Sequence, residues 1–177
     1  MDDETLYRQV LHGDEAALIA LVQRYHIPLY KFLCRFTGDV ALADDLTQET
    51  FTRLLTYQGV PPTHFKSWAY TVARNLARDH FKSARYRYER TADFEEDAES
   101  FPDDASFAAD DRAAVIQALA KLSPDHREVL ILRFYHDLKL DEIATVTHTP
   151  VGTVKSRLFH ALKQMKGLLA LTEVIHD

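Results

Sequence analysis

The chain has 177 residues, of which 46% are hydrophobic, and this apolar content excludes an intrinsically disordered protein. Its formal net charge is −6, from 27 acidic and 21 basic residues, and its single cysteine, Cys34, excludes an internal disulfide. The length suits one domain or two small ones. With only five glycines and no regular alternation of polar and apolar residues, the sequence predicts an all-α fold of two small helical domains.

The sequence lacks the signatures of a membrane protein, an exported protein and an enzyme. No apolar run approaches the length of a membrane span, and the start, MDDETLYRQ, is acidic, so we expect a cytoplasmic protein. No two of the nine histidines stand three or four residues apart, and no glycine-rich phosphate loop or GxSxG motif is present. We therefore predict no metal, no cofactor and no catalytic residue, and we expect Cys34 to be a buried structural thiol.

Residues 1–90 are predicted to form an N-terminal domain of about four helices. Apolar residues recur at helical spacing from residue 14 to residue 36, where Pro28 is expected to bend or interrupt the helix. A second helical pattern follows at residues 38–57. A loop, GVPPT, then precedes a long helix that begins at Phe65.

The second of these patterns contains the acidic segment ADDLTQETFTRLL. Leu46, Thr50 and Leu54 can face inward, which leaves a polar outer stripe of Asp45, Gln48, Glu49 and Thr52. Two carboxylates one helical turn apart could hold a divalent ion for phosphodiester chemistry, but no third ligand stands at a suitable spacing. A protein-docking face or a plain solvated surface is the favoured interpretation.

The helix that begins at Phe65 combines a buried face with a basic one. The spacing predicts a buried stripe of Phe65, Trp68, Ala69, Val72, Ala73 and Leu76. A different face carries four cations, Arg74, Arg78, Lys82 and Arg85. Like charges on one stripe repel each other unless an anion is close, and Phe81, Tyr86 and Tyr88 can supply aromatic faces for bases. This face is therefore predicted to bind an unpaired nucleic-acid strand.

Residues 91–111 are predicted to be an acidic linker. They contain nine Asp or Glu residues, no Lys or Arg, and Pro102. The remainder of the chain has 21 basic and 18 acidic residues, a net charge of +3. The acidity of the protein is thus largely local to this segment.

Residues 112–177 are predicted to form a C-terminal helix-turn-helix domain. Ser123 and Pro124 form a cap-plus-proline start signal for a helix. The short helix LKLDEIATV, the turn THT and a longer helix opened by Thr149-Pro150 follow. This order and spacing are typical of a helix-turn-helix.

The last helix is predicted to present a cationic face suited to the major groove. Its inward side is expected to contain Val151, Val154, Leu158, Ala161, Leu162 and Met165. Its outward side is expected to contain Gly152, Thr153, Ser156, Phe159, His160 and Lys163, flanked by Lys155 and Arg157. We expect the side chains near the start of the helix to read bases and the lysines to contact phosphates. Phe159 either meets a thymine methyl group or packs on a neighbouring helix.

The segments ADDLTQETFTRLL, FKSWAYTVARNLARDHFKSAR and ALAKLSPDHREVLILRFYHDLKLDEIATVTHTPVGTVKSRLFHALKQMK resemble an extracytoplasmic-function sigma factor. The resemblance covers nearly the whole chain in the order expected of that family. It implies a region 2-like domain that binds core RNA polymerase and the −10 element, and a region 4-like domain that binds the −35 element.

The resemblance also implies roles for individual residues. The stripe of Asp45, Gln48, Glu49 and Thr52 matches the surface that docks on the clamp helices of the polymerase. Asn75 matches the position, at a helix junction, where a flipped −10 base is captured. The −10 contacts that it implies are Arg74, Asn75, Arg78, Asp79, His80, Lys82 and Arg85. The −35 contacts that it implies lie at residues 153–160, namely Thr153, Lys155, Ser156, Arg157, Phe159 and His160. Lys163 joins them as a phosphate contact expected from the helix face.

The partners implied by the resemblance are core RNA polymerase, contacted at its clamp helices and flap, promoter DNA and an anti-sigma factor. The DNA is double-stranded at −35 and single-stranded at −10. The acidic linker is either a segment that enters the nucleic-acid channel of the polymerase or a solubilising tether.

Other functions stay open at the level of sequence. A stand-alone helix-turn-helix regulator would bind duplex DNA without polymerase, and a nuclease would use Asp45 and Glu49. A protein-binding adaptor would need neither cationic face. The sigma factor interpretation alone gives a role to both cationic faces.

Overall fold

The computed structural model describes the backbone of residues 1–87 and 109–176, and the side chains of residues 1–83 and 112–171. The regular structure of these described residues is entirely helical and comprises eight helices. The predicted all-α fold is confirmed. Tyr88 and all but the last three residues of the predicted linker lie outside the described residues.

The first four helices occupy the predicted N-terminal domain. They are α1 (Asp3–Leu11), α2 (Glu15–Thr37), α3 (Val40–Thr56) and α4 (Phe65–Arg87). The first three begin in the same way, with an aspartate whose carboxylate accepts a hydrogen bond from a backbone N–H of the first turn; these caps are Asp2, Asp14 and Asp39. Such caps satisfy a free donor at each helix start and oppose the positive end of the helix dipole.

Helix α2 runs through Pro28 without interruption. A proline inside a helix removes one backbone hydrogen bond. Leu29, Phe32 and Leu33 follow immediately and are fully buried. Burial of these three side chains outweighs the lost bond, since each contributes about 1.5–3 kcal/mol.

Aromatic packing positions the start of α4. The Tyr7 ring lies 5.3 Å from the rings of both Phe65 and Trp68, and its hydroxyl donates to the Leu54 carbonyl at 2.7 Å. The Glu4 carboxylate accepts a hydrogen bond from the backbone N–H of Phe65 at 3.1 Å. Helix α1 therefore fixes where α4 begins.

The other four helices are α5 (Ala109–Lys121), α6 (Pro124–Phe134), α7 (Leu140–Thr147) and α8 (Val151–His176). Ser123 caps α6 as predicted, because its hydroxyl accepts from the backbone N–H of His126.

His148 adopts a left-handed conformation with φ 56° and makes the turn between α7 and α8. The helix-turn-helix order of the sequence prediction is present. Helix α8 begins at Val151, one residue later than expected, and the Thr149 hydroxyl lies 2.8 Å from that of Thr147.

The buried face of α8 is narrower than predicted. Val154, Leu158, Ala161 and Met165 are buried as expected. The predicted burial of Val151 and Leu162 is wrong, because these side chains are 37% and 46% exposed. At about 100° per residue both positions lie on the rim of the buried stripe, where a neighbouring helix no longer covers them.

The two groups of helices pack on each other. Helix α4 contacts α7 and α2 contacts α6, and buried apolar side chains of both groups form one contiguous core. Cys34 lies in this core, fully buried, and burial raises the pKa of its thiol to about 11. Within the described part of the chain, no helix combines the length and apolar character that crossing a bilayer requires.

Candidate nucleic-acid interface

Helix α4 turns its predicted apolar stripe inward and its arginines toward α6. Phe65, Ala69, Ala73 and Leu76 are buried as predicted, while Trp68 and Val72 are half-buried. Arg74 and Arg78 stand on another side of the helix and are half-buried as well. The spacing of the charges along α4 does not show that these two cations are covered.

Glu128 of α6 covers both arginines. The Nε and Nη2 atoms of Arg74 donate to its two carboxylate oxygens at 2.8 and 3.1 Å. The same two atoms of Arg78 donate at 3.2 and 2.8 Å. The Glu128 side chain is 0% exposed, so its charge is held in the interior by a pair of two-pronged arginine contacts.

Asp125 extends this cluster to the last helix. Its carboxylate accepts from Arg78 at 2.5 Å and lies 3.6 Å from Arg157 of α8. Burial alone would raise the pKa of Asp125, but the hydrogen bond from Arg78 and the charges of Arg157, Arg78 and Arg74 outweigh it and lower the pKa below its usual value. Asp125 is therefore an anion shared by the predicted −10 and −35 surfaces.

Arg127 joins the two groups of helices through backbone carbonyls. Its guanidinium donates to Leu119 and Leu122 at 2.9 Å each, and to Phe36, in the last turn of α2, at 2.8 Å. Burial lowers the pKa of Arg127 to about 10, which leaves it charged at neutral pH. A cation at the end of α2 satisfies a free carbonyl and matches the negative end of the helix dipole.

Tyr70 and His136 meet between the same two groups of helices. The Tyr70 hydroxyl lies 2.9 Å from Nδ1 of His136, whose Nε2 is enclosed without a hydrogen-bond partner. Burial, together with the charges of Arg35, Lys66 and Lys31, lowers the pKa of His136 to about 3. The imidazole is thus neutral at physiological pH.

Asn75 lies in the middle of a continuous helix, so the junction predicted at this position is wrong. Helix α4 continues through it because Leu76 and Ala77 are buried on the far side. The Asn75 side-chain oxygen accepts from Arg74 at 3.2 Å. Asn75 therefore stands beside the covered arginines rather than on a loop.

The other predicted −10 contacts are divided. Asp79 and Lys82 are exposed and His80 is half-buried, while the side chain of Arg85, like that of Tyr86, lies outside the described residues. Phe81 packs against Phe36, with ring centroids 5.2 Å apart. Its predicted role as an open stacking surface for bases does not agree with this packing.

The predicted −35 surface on α8 is largely open. Lys155, Ser156, Phe159, His160 and Lys163 are exposed, whereas Thr153 and Arg157 are half-buried. Phe159 is 64% exposed, and its ring lies 5.4 Å from that of His160 on the same helix. Phe159 is thus displayed beside the cations rather than packed on a neighbouring helix.

The polar stripe on α3 is fully displayed. Asp45, Gln48, Glu49 and Thr52 are all exposed, and Glu49 pairs with Arg53 at 3.1 Å. Among the residues that the structure describes, no group of three or more His, Cys, Asp or Glu side chains is placed to hold a metal ion. The stripe is therefore an exposed polar surface that carries two carboxylates, Asp45 and Glu49.

Sequence reasoning missed three residues of α6: Asp125 and Glu128, which bind the arginines of α4, and Arg127, which donates to the Phe36 carbonyl of α2. A signal was present, because Arg127 and Glu128 directly precede the apolar run VLIL. Charged side chains next to such a run are rarely buried without partners. The sequence does not say where those partners are.

Two family descriptions match the sequence, one for each group of helices. Sigma-70 region 2 matches residues 21–87, and Sigma-70, region 4 matches residues 112–165. The matches follow the order of the two helical groups, and each contains one of the predicted DNA surfaces.

Curated relatives carry sigma factor names. The chain is similar to the ECF RNA polymerase sigma factor SigL of Mycobacterium tuberculosis, at 37% identity over 158 residues that cover 86% of this chain and 89% of SigL. It is also similar to the ECF RNA polymerase sigma factor BldN of Streptomyces coelicolor, at 36% identity over 166 residues, 89% of this chain. The chain spans 62% of the length of BldN.

Solved structures share the fold. CnrH in complex with the cytosolic domain of CnrY is similar with a TM-score of 0.71 and 25% identity, covering 96% of this chain and 97% of that one. The sigma factor RpoE of Bartonella quintana, solved with the anti-sigma factor NepR, is similar in fold, with a TM-score of 0.68 at 20% identity over 86% of this chain and 96% of that one.

Proposed function

This chain belongs to the extracytoplasmic-function sigma factors of the sigma-70 family, and from that premise we propose that it binds core RNA polymerase and directs it to promoters with −10 and −35 elements. The observation that carries the proposal is the presence of a region 2 and a region 4 in one chain, each with a cationic helix face. The polymerase performs the bond chemistry, and we place this protein with it in the cytoplasm.

The −35 element is read by α8. Its first turns carry short polar side chains and cations on the exposed side, a composition that fits a helix in the major groove. Thr153, Ser156 and Arg157 contact base edges, and Lys155 and Lys163 contact phosphates. Phe159 and His160 lie on the same side and add contacts to the edge of the site.

The −10 element is bound by α4 as an opened strand. Arg74, Arg78, Lys82 and Arg85 hold the strand, and Asn75 contacts an extruded base, with Asp79 and His80 beside it. Capture of a base outside the stack offsets an unstacking cost of a few kcal/mol and favours the melted state. Arg74 and Arg78 act here only after they leave Glu128.

The polymerase is contacted through α3. Its stripe of Asp45, Gln48, Glu49 and Thr52 lies on an exposed face of the domain that carries the −10 helix. A docked α3 would therefore hold α4 at a fixed place on the enzyme, while the flap receives the region 4 domain. Reversal of two charges by Asp45→Lys and Glu49→Lys should abolish capture of core polymerase.

An anti-sigma factor is a further partner that we propose. CnrH and the Bartonella RpoE were both solved with a protein bound, and NepR is named an anti-sigma factor.

The linker at residues 91–111, which lies largely outside the described residues, either enters the nucleic-acid channel or serves as a tether.

Run-off transcription with purified core polymerase over a promoter library, with and without this protein, tests the proposed function. We expect initiation at a defined subset of promoters only when the protein is present. A chain with Asp45→Lys and Glu49→Lys is the matched control, because it should fold and yet direct no initiation. Initiation that is unaffected by the wild-type protein would overturn the proposal.

A further inference from the structure

The carboxylates of α6 occupy the arginines that the proposed function assigns to the promoter strand. Glu128 accepts two hydrogen bonds from each of Arg74 and Arg78, and Asp125 accepts a further one from Arg78. An arginine fork fits a carboxylate and a phosphate with the same two-pronged geometry. The same donors therefore cannot serve α6 and a nucleic-acid strand together.

The burial of Glu128 makes its contact with Arg74 and Arg78 necessary for the stability of this packing. The Glu128 side chain has no exposed surface, and an ionised carboxylate is retained in the interior only where charge-assisted hydrogen bonds compensate for the water it loses. Both of the arginines that supply those bonds come from the other matched region, 50 and 54 residues away in sequence. The ion pairs therefore stabilise the packing of the region 4 helices on α4, which we call the closed arrangement. They do not stabilise helix α6 by itself.

A second contact stabilises the closed arrangement, and here the donor belongs to region 4 and the acceptor to region 2. Arg127 of α6 donates to the Phe36 carbonyl of α2, also across the two regions. The neighbouring Asp125 reaches Arg157 on α8, one of the proposed base-reading residues. Closure thus engages arginines of both DNA surfaces, although the lysines of α8 stay exposed.

We propose that, away from the polymerase, the region 4 helices close over α4 and that Glu128 and Asp125 stand where phosphates of the −10 strand bind. The free protein is then occluded from single-stranded −10 DNA by its own carboxylates. This inference rests on the −10 role proposed for Arg74 and Arg78. It adds that region 4 must leave α4 before that role is exercised.

The test compares full-length variants that change only region 4 carboxylates. Glu128→Gln removes the buried charge with little change of shape, and Asp125→Asn is a milder variant at a side chain that is 50% exposed. Asp141→Asn, an exposed carboxylate on α7, is the matched control. A dye pair at Ala41→Cys and Gln164→Cys, both exposed, reports the distance between regions.

We expect Glu128→Gln to lengthen the interdye distance and to strengthen binding of a single-stranded −10 oligonucleotide by roughly tenfold or more, since affinity scales with the fraction of open molecules. Asp125→Asn should act in the same direction more weakly, and Asp141→Asn should match the wild type. A circular dichroism melt identifies any variant that has unfolded, in which case Asp125→Asn decides the result.

Three outcomes separate this inference from the proposed function. An unchanged distance and unchanged oligonucleotide binding in both α6 variants would overturn the occlusion, even if Arg74→Ala lowers transcription by the complete holoenzyme. A longer distance without stronger oligonucleotide binding would also overturn it. By contrast, transcription that is unaffected by Arg74→Ala and Arg78→Ala would reject the proposed −10 role.

Discussion

The two cationic surfaces of this sigma factor look alike in sequence and differ in structure. On α4, Arg74 and Arg78 are half-buried and bound by carboxylates of the same chain. On α8, Lys155 and Lys163 are exposed. A run of like charges at helical spacing indicates that an anion is needed nearby, but not whether that anion belongs to a ligand or to the protein.

This difference separates two kinds of DNA surface. Exposed lysines can meet a phosphate backbone at once, and their contribution is screened by salt. Covered arginines must first exchange one anion for another, so their use can be conditional on a change of domain arrangement.

Arg127→Ala should have the largest effect because Arg127 links α6, the helix that covers the arginines of α4, to α2. Several buried carbonyls would lose their donor, and each unsatisfied group costs about 1–3 kcal/mol. We expect a loss of about 3 kcal/mol or more in the free energy of unfolding, measured by urea denaturation. The conservative variant Arg127→Lys should retain part of the stability that Arg127→Ala loses. A loss below about 1 kcal/mol would show that the carbonyls find other donors.

Arg157→Ala probes the residue that lies between the two surfaces. If its side chain reads a base, recognition of the −35 element should weaken by about 1–3 kcal/mol, measured as the difference in holoenzyme affinity between cognate and scrambled promoters. Lys155→Ala is the matched control and should weaken both promoters alike. An equal loss on both promoters for Arg157→Ala would make it a phosphate contact.

His136 makes the closed arrangement sensitive to acid. Its ordinary pKa is about 6.5 and burial lowers this to about 3, so the closed state excludes a proton that the open or unfolded state accepts. The stabilisation is complete above pH 6.5 and declines as the pH falls toward 3, by about 1.4 kcal/mol per pH unit. The groups that face the ring are Tyr70 of α4 and the cations Lys31, Arg35 and Lys66.

We therefore expect the free energy of unfolding to be lower at pH 5 than at pH 7.5, with the slope reduced in His136→Gln. Asp125 does not produce this window, because its pKa is lowered from an ordinary value of 3.8. Equal pH slopes for the wild type and for His136→Gln would contradict the assignment to His136.

Lys163→Ala should have the smallest effect, because this lysine lies on the open surface and contacts only phosphate in the proposed complex. Its removal should weaken binding of all sequences alike and reduce the dependence of log affinity on log salt by about one unit. Lys166→Ala, on an exposed position farther along α8, is the comparison. A loss confined to one promoter sequence would assign Lys163 to base readout.

Local signals in the sequence predicted much of the fold. Helical spacing and the Ser123-Pro124 start placed the helices, and the outer stripe of α3 is exposed as its pattern indicated. The errors lie where partners from distant sequence decide the outcome. Of the two outcomes expected at Pro28, an interruption of α2 does not occur, because the residues after it are buried. Val151 and Leu162 are exposed because, among the described residues, no neighbouring helix covers the rim of the α8 stripe.

The candidate site was predicted less completely for the same reason. The arginines of α4 were identified from their spacing, but their carboxylate partners are about 50 residues away in another group of helices. Helical periodicity reports which face of a helix is polar, and it does not identify what covers that face. The domain boundaries at residues 90 and 112 and the residue roles stay predictions.

The distance between regions 2 and 4 in one full-length chain, free and on core polymerase, tests the central claim most directly. Dyes at Ala41→Cys and Gln164→Cys serve for this measurement, because Cys34 is buried and should not react. We predict a short distance in the free protein, with α6 on α4, and a longer one in the holoenzyme. The same distance in both states would contradict the account.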